Sequence, residues 1–186
     1  MGVWSDITFN ECGKKVFSPF DSKRVQPASY DMTLGNNVLI FDEINVYYDL
    51  ANRMYRDILT GEELSPWKKI RFSKEKPFIL KPNQFALGTT FETINVPLDV
   101  LGRFEGKSSL ARVGLMVHIT AGYIDPGFKG QITLEFKNIS ECDIEMIPGI
   151  LIGQISIHTM DKTVRRGYGE YGNHYQNQKG TTPAKK

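Results

Sequence analysis

Lys107, Ser108, Ser109, Arg112, His118, Asp125 and Glu135 fall within one short span of this sequence, GKSSLARVGLMVHITAGYIDPGFKGQITLE. In Gly106-Lys107-Ser108-Ser109-Leu110-Ala111-Arg112, a serine at the N-cap of a short helix would leave backbone N–H groups free to meet an anion. Lys107 and Arg112 would add positive charge. The spacing is not that of a Walker A loop, and by itself such a motif more often means an ordinary capped turn. Alternation in QITLEF sends Ile132, Leu134 and Phe136 to one face of a strand and Thr133 and Glu135 to the other. Most strand glutamates of this kind face solvent. A carboxylate held by a guanidinium at a pocket wall can instead shuttle protons. Arg112, on the element feeding the same hairpin, is the candidate guanidinium. Asp125 opens Asp-Pro-Gly, a good turn former, and His118 in LMVHIT reads as a core histidine. Asn138, His158 and His174 make no recognisable metal set. The zinc-deaminase signature and the H-E-x-x-H and G-x-S-x-G motifs are absent from the sequence. Catalysis here is therefore expected to use carboxylate, hydroxyl and guanidinium groups, with at most a divalent cation carried in by a phosphate ligand.

These residues need elements to hold them. Ser5-Asp6 can start a short helix, which Gly13 and Pro19 limit. QPASYDMTLG reads as an extended lead-in and a strand, continued through NNVLIFDE and INVYYDL. Residues 50–67 are polar and weakly helical in pattern and are read as an insertion over the surface, extending to residue 71. From Ile70 the period is two: PFILKP, FALGTTFETINVP, LMVHIT, QITLEFKN, CDIEMIPG and ILIGQISIHT are short strands with Pro-Gly breakers. A tight Asp-Pro-Gly hairpin joins LMVHIT to QITLEF. Many short strands with regular turns indicate a sandwich or barrel. Residues 161–186 have few aliphatic side chains, three tyrosines and four glycines, and are read as a flexible arm that orders on something else. The expected division is a β domain over 1–160 and an arm over 161–186.

The chain has 186 residues and net charge +2, which suits one domain and is too little positive charge for a general nucleic-acid binder. The arm carries six basic and two acidic residues, net +4, against −2 for the rest, so it can close over an anionic small molecule. Cys12 and Cys142 are expected to be free thiols in a reducing compartment. No basic-then-apolar leader is evident at the start, Asp6 stands where a myristoylation signal wants Ser or Thr, and no run approaches the ~18 apolar residues of a membrane span. A soluble cytoplasmic protein is the expectation.

Four segments in order then carry a resemblance: QPASYDMTLG, EGKSSLARVGLMVHITAGYIDPGFKGQITLEF, IPGILIGQISI and YGNHYQNQKGTTPAKK. Together they resemble the deoxycytidine triphosphate deaminase branch of the dUTPase superfamily, over most of the chain outside residues 50–71. The resemblance implies a mainly β fold: a distorted β-barrel or jelly-roll of the dUTPase-like type, with short helices and a C-terminal arm. It implies a homotrimer with three shared active sites. It implies zinc-independent hydrolysis of dCTP to dUTP and ammonia, with magnesium bound through the triphosphate and dTTP as a possible inhibitor. By match, Glu135 shuttles protons, Arg112 pairs with it and holds substrate, and Ser108 positions water. Lys107 and Ser109 meet the triphosphate, Asp125 meets the 3′-hydroxyl, and the backbone of Ile119, Thr120 and Ala121 reads the pyrimidine. Tyr168, His174 and Gln178 belong to the arm closing over the phosphates. His174 stands where the family usually has lysine. Thr120-Ala121-Gly122-Tyr123-Ile124-Asp125 is closer to the form in bifunctional members, which release dUMP, ammonia and pyrophosphate. That activity is the alternative. A plain dUTPase is disfavoured by Glu135, and a nucleotide-binding regulatory relative by the joint presence of Ser108, Arg112 and Glu135.

Overall fold

Phe85–Asn95 and Lys129–Asn138 are the longest strands, and they pair antiparallel with each other. The computed structural model describes residues 2–42, 45–172 and 174–185. Around this pair a six-stranded sheet runs Leu115–Met116, Lys129–Asn138, Phe85–Asn95, Asn37–Phe41, Trp67–Arg71, with Phe17–Ser18 also on Phe85–Asn95. A five-stranded sheet runs Tyr123–Ile124, Val100–Gly106, Leu151–Thr159, Ser29–Thr33, Val25–Gln26. The strand pairings in both sheets are antiparallel.

One core joins the sheets. The first contributes Val38, Ala86, Ile94, Leu134 and Phe136, and the second contributes Tyr30, Met32, Phe104, Ile155 and Ile157. The helix Asp6–Val16 adds Phe9 and Val16. Burying each large apolar side chain is worth about 1.5–3 kcal/mol, so the inward face of every strand is strongly specified and the outward face is left for other work. The mainly β architecture agrees with the expectation. Among the described residues, no helix is long and apolar enough to cross a membrane.

Three local expectations are corrected. Residues 50–67 are not helical: Val46–Asp49, Met54–Asp57 and Glu63–Leu64 form an antiparallel three-stranded meander. The Asp49 carboxylate accepts from the N–H groups of Ala51 and Asn52, and that of Asp57 from Leu59 and Thr60. These Asx turns reverse the chain twice, and Tyr48 packs edge-on against its partner Tyr55 at 4.8 Å between centroids. LMVHIT is a strand only over Leu115–Met116, after which the chain leaves the sheet. The Asp-Pro-Gly segment is therefore not a hairpin between paired strands. It is a corner that carries the chain from Tyr123–Ile124 in the second sheet to Lys129–Asn138 in the first. Phe128 N donates to Asp125 O at 3.1 Å and Gly127 has φ +83°, the Pro-Gly order of a type II turn.

Glu92 is completely buried on Phe85–Asn95. Its carboxylate accepts from Thr33 N at 2.9 Å, from Thr33 Oγ1 at 2.6 Å and from the Arg24 guanidinium. Burial is the largest single influence and works against the Arg24 charge, but the hydrogen bond and charge of Glu92, together with Tyr30 and Asp21, outweigh it and the guanidinium pKa is raised. Removing one partner of such a pair strands a buried charge. Arg24→Ala is expected to lower the unfolding free energy by about 3 kcal/mol, read from urea melts. A loss under about 1 kcal/mol would mean that Glu92 needs no counter-charge.

Candidate active site

The strand pair orients Glu135. Leu134 and Phe136 point into the core, and the register sets Glu135 opposite Leu87 and Thr133 opposite Thr89. Glu135, Thr133 and Leu87 thus lie on the outer face of the first sheet. The same face continues across Phe85 and Phe41 to Trp67, where ring centroids of Phe41 and Trp67 lie 4.3 Å apart. Tyr55 of the meander packs edge-on to Trp67 at 6.0 Å.

The C-terminal segment crosses this face. Asn177 N donates to Lys129 O at 2.7 Å, Gln131 N to Gln178 O at 3.1 Å, and Thr181 Oγ1 to Asn37 O at 3.2 Å. Between sheet and segment lies a cavity of about 470 Å³, whose wall includes Glu135, Thr133, Ala121, Asp125, Tyr168, Gln178, Trp67 and Tyr55. That volume suits a small molecule of nucleotide size. Thr133 Oγ1 and Gln178 Oε1 are buried and, among the described residues, have no hydrogen-bond partner. Unpaired buried polar atoms on a cavity wall call for a polar ligand or water.

Glu135 is half-buried, and its Oε2 accepts from Ile119 N at 3.1 Å. That bond ties the carboxylate to the irregular segment 117–122 leaving the sheet. Asp125 is exposed at the corner. Tyr168 N donates to Pro126 O at 2.8 Å, its ring meets Phe128 edge-on at 5.3 Å, and burial raises its hydroxyl pKa. His118 is half-buried, with Nε2 at 3.4 Å from Glu105 Oε2. Arg103 in the first place, and His118 to a smaller degree, hold the Glu105 carboxyl pKa low.

Seven of the residues singled out in the sequence lie apart from this cavity wall or only border it. Ser108, Ser109 and Arg112 are exposed, and among the described residues their side chains make no hydrogen bond or ion pair. Ser108 is the first helical residue of Ser108–Ala111, and Lys107 occupies the N-cap without a side-chain cap bond. The expected serine cap is absent because the helix begins one residue earlier, which places Ser108 at its first helical position. Lys107 is instead committed to buried Asp31, Nζ to Oδ1 2.5 Å. Arg112 does not brace Glu135 within one chain. Leu115 pairs with Asn138, three strand residues beyond Glu135, a separation of roughly 10 Å before the helical turn is added. Thr120 and His174 are exposed, and Ile119 reaches Glu135 only through its backbone. The sequence reading missed Thr133's place on the wall, together with Trp67, Tyr55, Phe85 and Leu87. The alternation in FALGTTFET carried part of that signal, since Phe85 and Leu87 share the parity of Thr89, opposite Thr133.

No group of three or more His, Cys, Asp or Glu among the described residues could hold a metal ion. What the face offers is a carboxylate, hydroxyls and amides around a nucleotide-sized space. The dCTP deaminase-like family profile matches residues 8–160, so the chain belongs to that family. A relative from Dictyoglomus thermophilum named "dCTP deaminase, dUMP-forming" is 40% identical over 94% of this chain and 88% of its own. One of the same name from Clavibacter michiganensis is 39% identical over 97% of this chain and 87% of its own. The fold matches the crystal structure of the 2′-deoxycytidine 5′-triphosphate deaminase from Agrobacterium tumefaciens with a TM-score of 0.64 at 19% identity, over 85% of this chain and 48% of that one.

A Cβ on Gly127 would meet Gly167 Cα at 2.7 Å and Tyr168 N at 3.0 Å. Gly127→Ala should therefore strain the corner, at a cost of about 1 kcal/mol or more, and push the chain around Tyr168 off the wall. Trypsin should then cut at Arg165 and Arg166 faster than in the unsubstituted protein. An unchanged cutting rate would show that the corner does not hold this segment.

Proposed function

We propose that this protein hydrolyses dCTP to dUMP, ammonia and pyrophosphate. The observation that carries the reading is Glu135, held outward by the strand pair onto the wall of a nucleotide-sized cavity beside Asp125, Tyr168 and Gln178. Support comes from the curated relatives, which carry the dUMP-forming name at about 40% identity. Deamination alone, ending at dUTP, is the coarser form of the same activity.

Glu135 takes a proton from water as the oxygen attaches to C4 of cytosine, and passes it to N3. The second water proton then leaves the C4 hydroxyl by way of Glu135 and goes to the exocyclic amine. The C4–N bond breaks, ammonia departs and C4 becomes the uracil carbonyl. One carboxylate thus serves in turn as base and acid. For the second step, Asp125 orients a water at the α-phosphorus, the bond to the bridging oxygen breaks and pyrophosphate leaves. Asp125 also meets the 3′-hydroxyl, and the backbone of Ile119, Thr120 and Ala121 reads the pyrimidine edge. Magnesium, bound through the triphosphate, would neutralise part of its charge. dTTP, sharing sugar and phosphates with the substrate, is a candidate inhibitor of the same site.

Ser108, Ser109, Arg112 and Lys107 complete the site from a neighbouring subunit of a homotrimer. This accounts for an exposed serine–arginine turn whose Ser108, Ser109 and Arg112 side chains have no hydrogen-bond or ion-pair partner among the described residues. Residues 161–186, with Tyr168, His174 and Gln178, act as the arm over the phosphates and keep bulk water out.

Incubation with dCTP and magnesium, with the nucleotides resolved by chromatography, should yield dUMP. Accumulation of dUTP instead would reduce the activity to deamination, and turnover of neither dCTP nor dUTP would remove the enzyme reading. Glu135→Gln should lower kcat by about 10³-fold, within the range for a lost proton shuttle, while calorimetry still detects nucleotide binding. Glu135→Gln and Arg112→Ala should each be inactive alone. Mixed, denatured together and refolded, they should regain activity, because some sites then hold both native residues. No regain would argue against sites shared between subunits.

A further inference from the structure

Pairing between Phe85–Asn95 and Lys129–Asn138 is interrupted: the register shifts between Thr89 and Thr93. Such a bulge leaves backbone groups without a strand partner. The Gln131 side chain fills that gap, its Nε2 donating to Thr90 O at 2.9 Å and Phe91 O at 3.0 Å. Because both amide hydrogens are spent on the bulge, the amide cannot flip without losing them. Its oxygen therefore faces the other way, and there it accepts from Gly180 N at 2.6 Å. The backbone of Gln131 closes a ring with the same segment: Gln131 N donates to Gln178 O at 3.1 Å, and Gln178 Nε2 to Gln131 O at 2.5 Å. With both of these bonds made, Gln178 Oε1 is left buried and unpartnered among the described residues.

We propose that Gln131 is a positioning residue: it anchors residues 178–180 to the bulge and thereby presents Gln178 Oε1, an acceptor, to a hydrogen-bond donor at the ligand in the Glu135 cavity, either a hydroxyl of the ligand or a water that bridges to its phosphates. This rests on the reading of that cavity as the dCTP site. It assigns to Gln131 a part in substrate affinity without any contact to the reacting atoms.

Gln131→Met keeps the length and removes every side-chain hydrogen bond. Thr90→Val serves as the comparison. It alters the same bulge, where Thr90 Oγ1 accepts from Ile132 N and donates to Glu92 O, but its hydroxyl makes no hydrogen bond to the C-terminal segment among the described residues. Hydrogen exchange of the Asn177–Gly180 amides and steady-state kinetics with dCTP are measured for both. Gln131→Met should speed exchange at Gly180 and raise KM about tenfold, the scale of one lost hydrogen-bonded contact, with kcat within about twofold. Thr90→Val should lower Tm yet leave exchange at Gly180 and KM as in the unsubstituted protein. Unchanged exchange and KM in Gln131→Met would overturn the proposal. So would an equal effect of Thr90→Val, which would assign the change to general loosening of the bulge. If the unsubstituted protein does not turn over dCTP, the substrate reading fails on that result, and the exchange arm still decides whether Gln131 holds the segment.

Discussion

The candidate site depends on one strand pairing. Phe85–Asn95 against Lys129–Asn138 sends Leu134 and Phe136 inward, and the period of two leaves Glu135 nowhere to go but outward. A slip of one residue would bury the carboxylate and expose two large apolar side chains. The hydrophobic core thus fixes the direction of the acid through the parity of the strand that carries it. The aromatic rung from Phe85 through Phe41 to Trp67 borders the same face, because those strands share the register.

The bulge in this pairing is where polarity enters the interior. Glu92, Arg24, Thr33, Thr90 and Gln131 satisfy one another there. A buried ion pair adds little net stability compared with a well-packed apolar alternative. Its value here lies in position: the bonds of Glu92 to Thr33 and Arg24 tie Phe85–Asn95 to Ser29–Thr33 and to the turn before it. Gln131 bonds to the same bulge and to the C-terminal segment, so the core and the cavity roof share one reference point.

Much of this was legible in the residues, and the failures have physical causes. The alternation in QITLEF gave the facing of Glu135 because burial on one face of a strand enforces parity. The overall β class followed from repeated short strands and Pro-Gly breaks. Residues 50–67 misled because the meander is held by cross-strand tyrosines and aspartate-capped turns rather than by a buried apolar stripe, so no strong period shows. LMVHIT misled because a short apolar run does not reveal where pairing stops. The closeness of Arg112 to Glu135 in sequence said nothing of their distance in space, since the intervening chain visits the second sheet before returning. Gln131 could not be singled out in advance, because its partners come from strands and a terminus far apart in the chain.

The wall of the cavity also has an optical side. The chain contains two tryptophans. Trp4 packs edge-on against Phe9 of the N-terminal helix, whereas Trp67 borders the space that Glu135 faces. An indole there senses the polarity of whatever fills that space. Its emission colour and quenching are a built-in reporter of occupancy, and replacing Trp4 with phenylalanine would leave that reporter as the sole tryptophan signal.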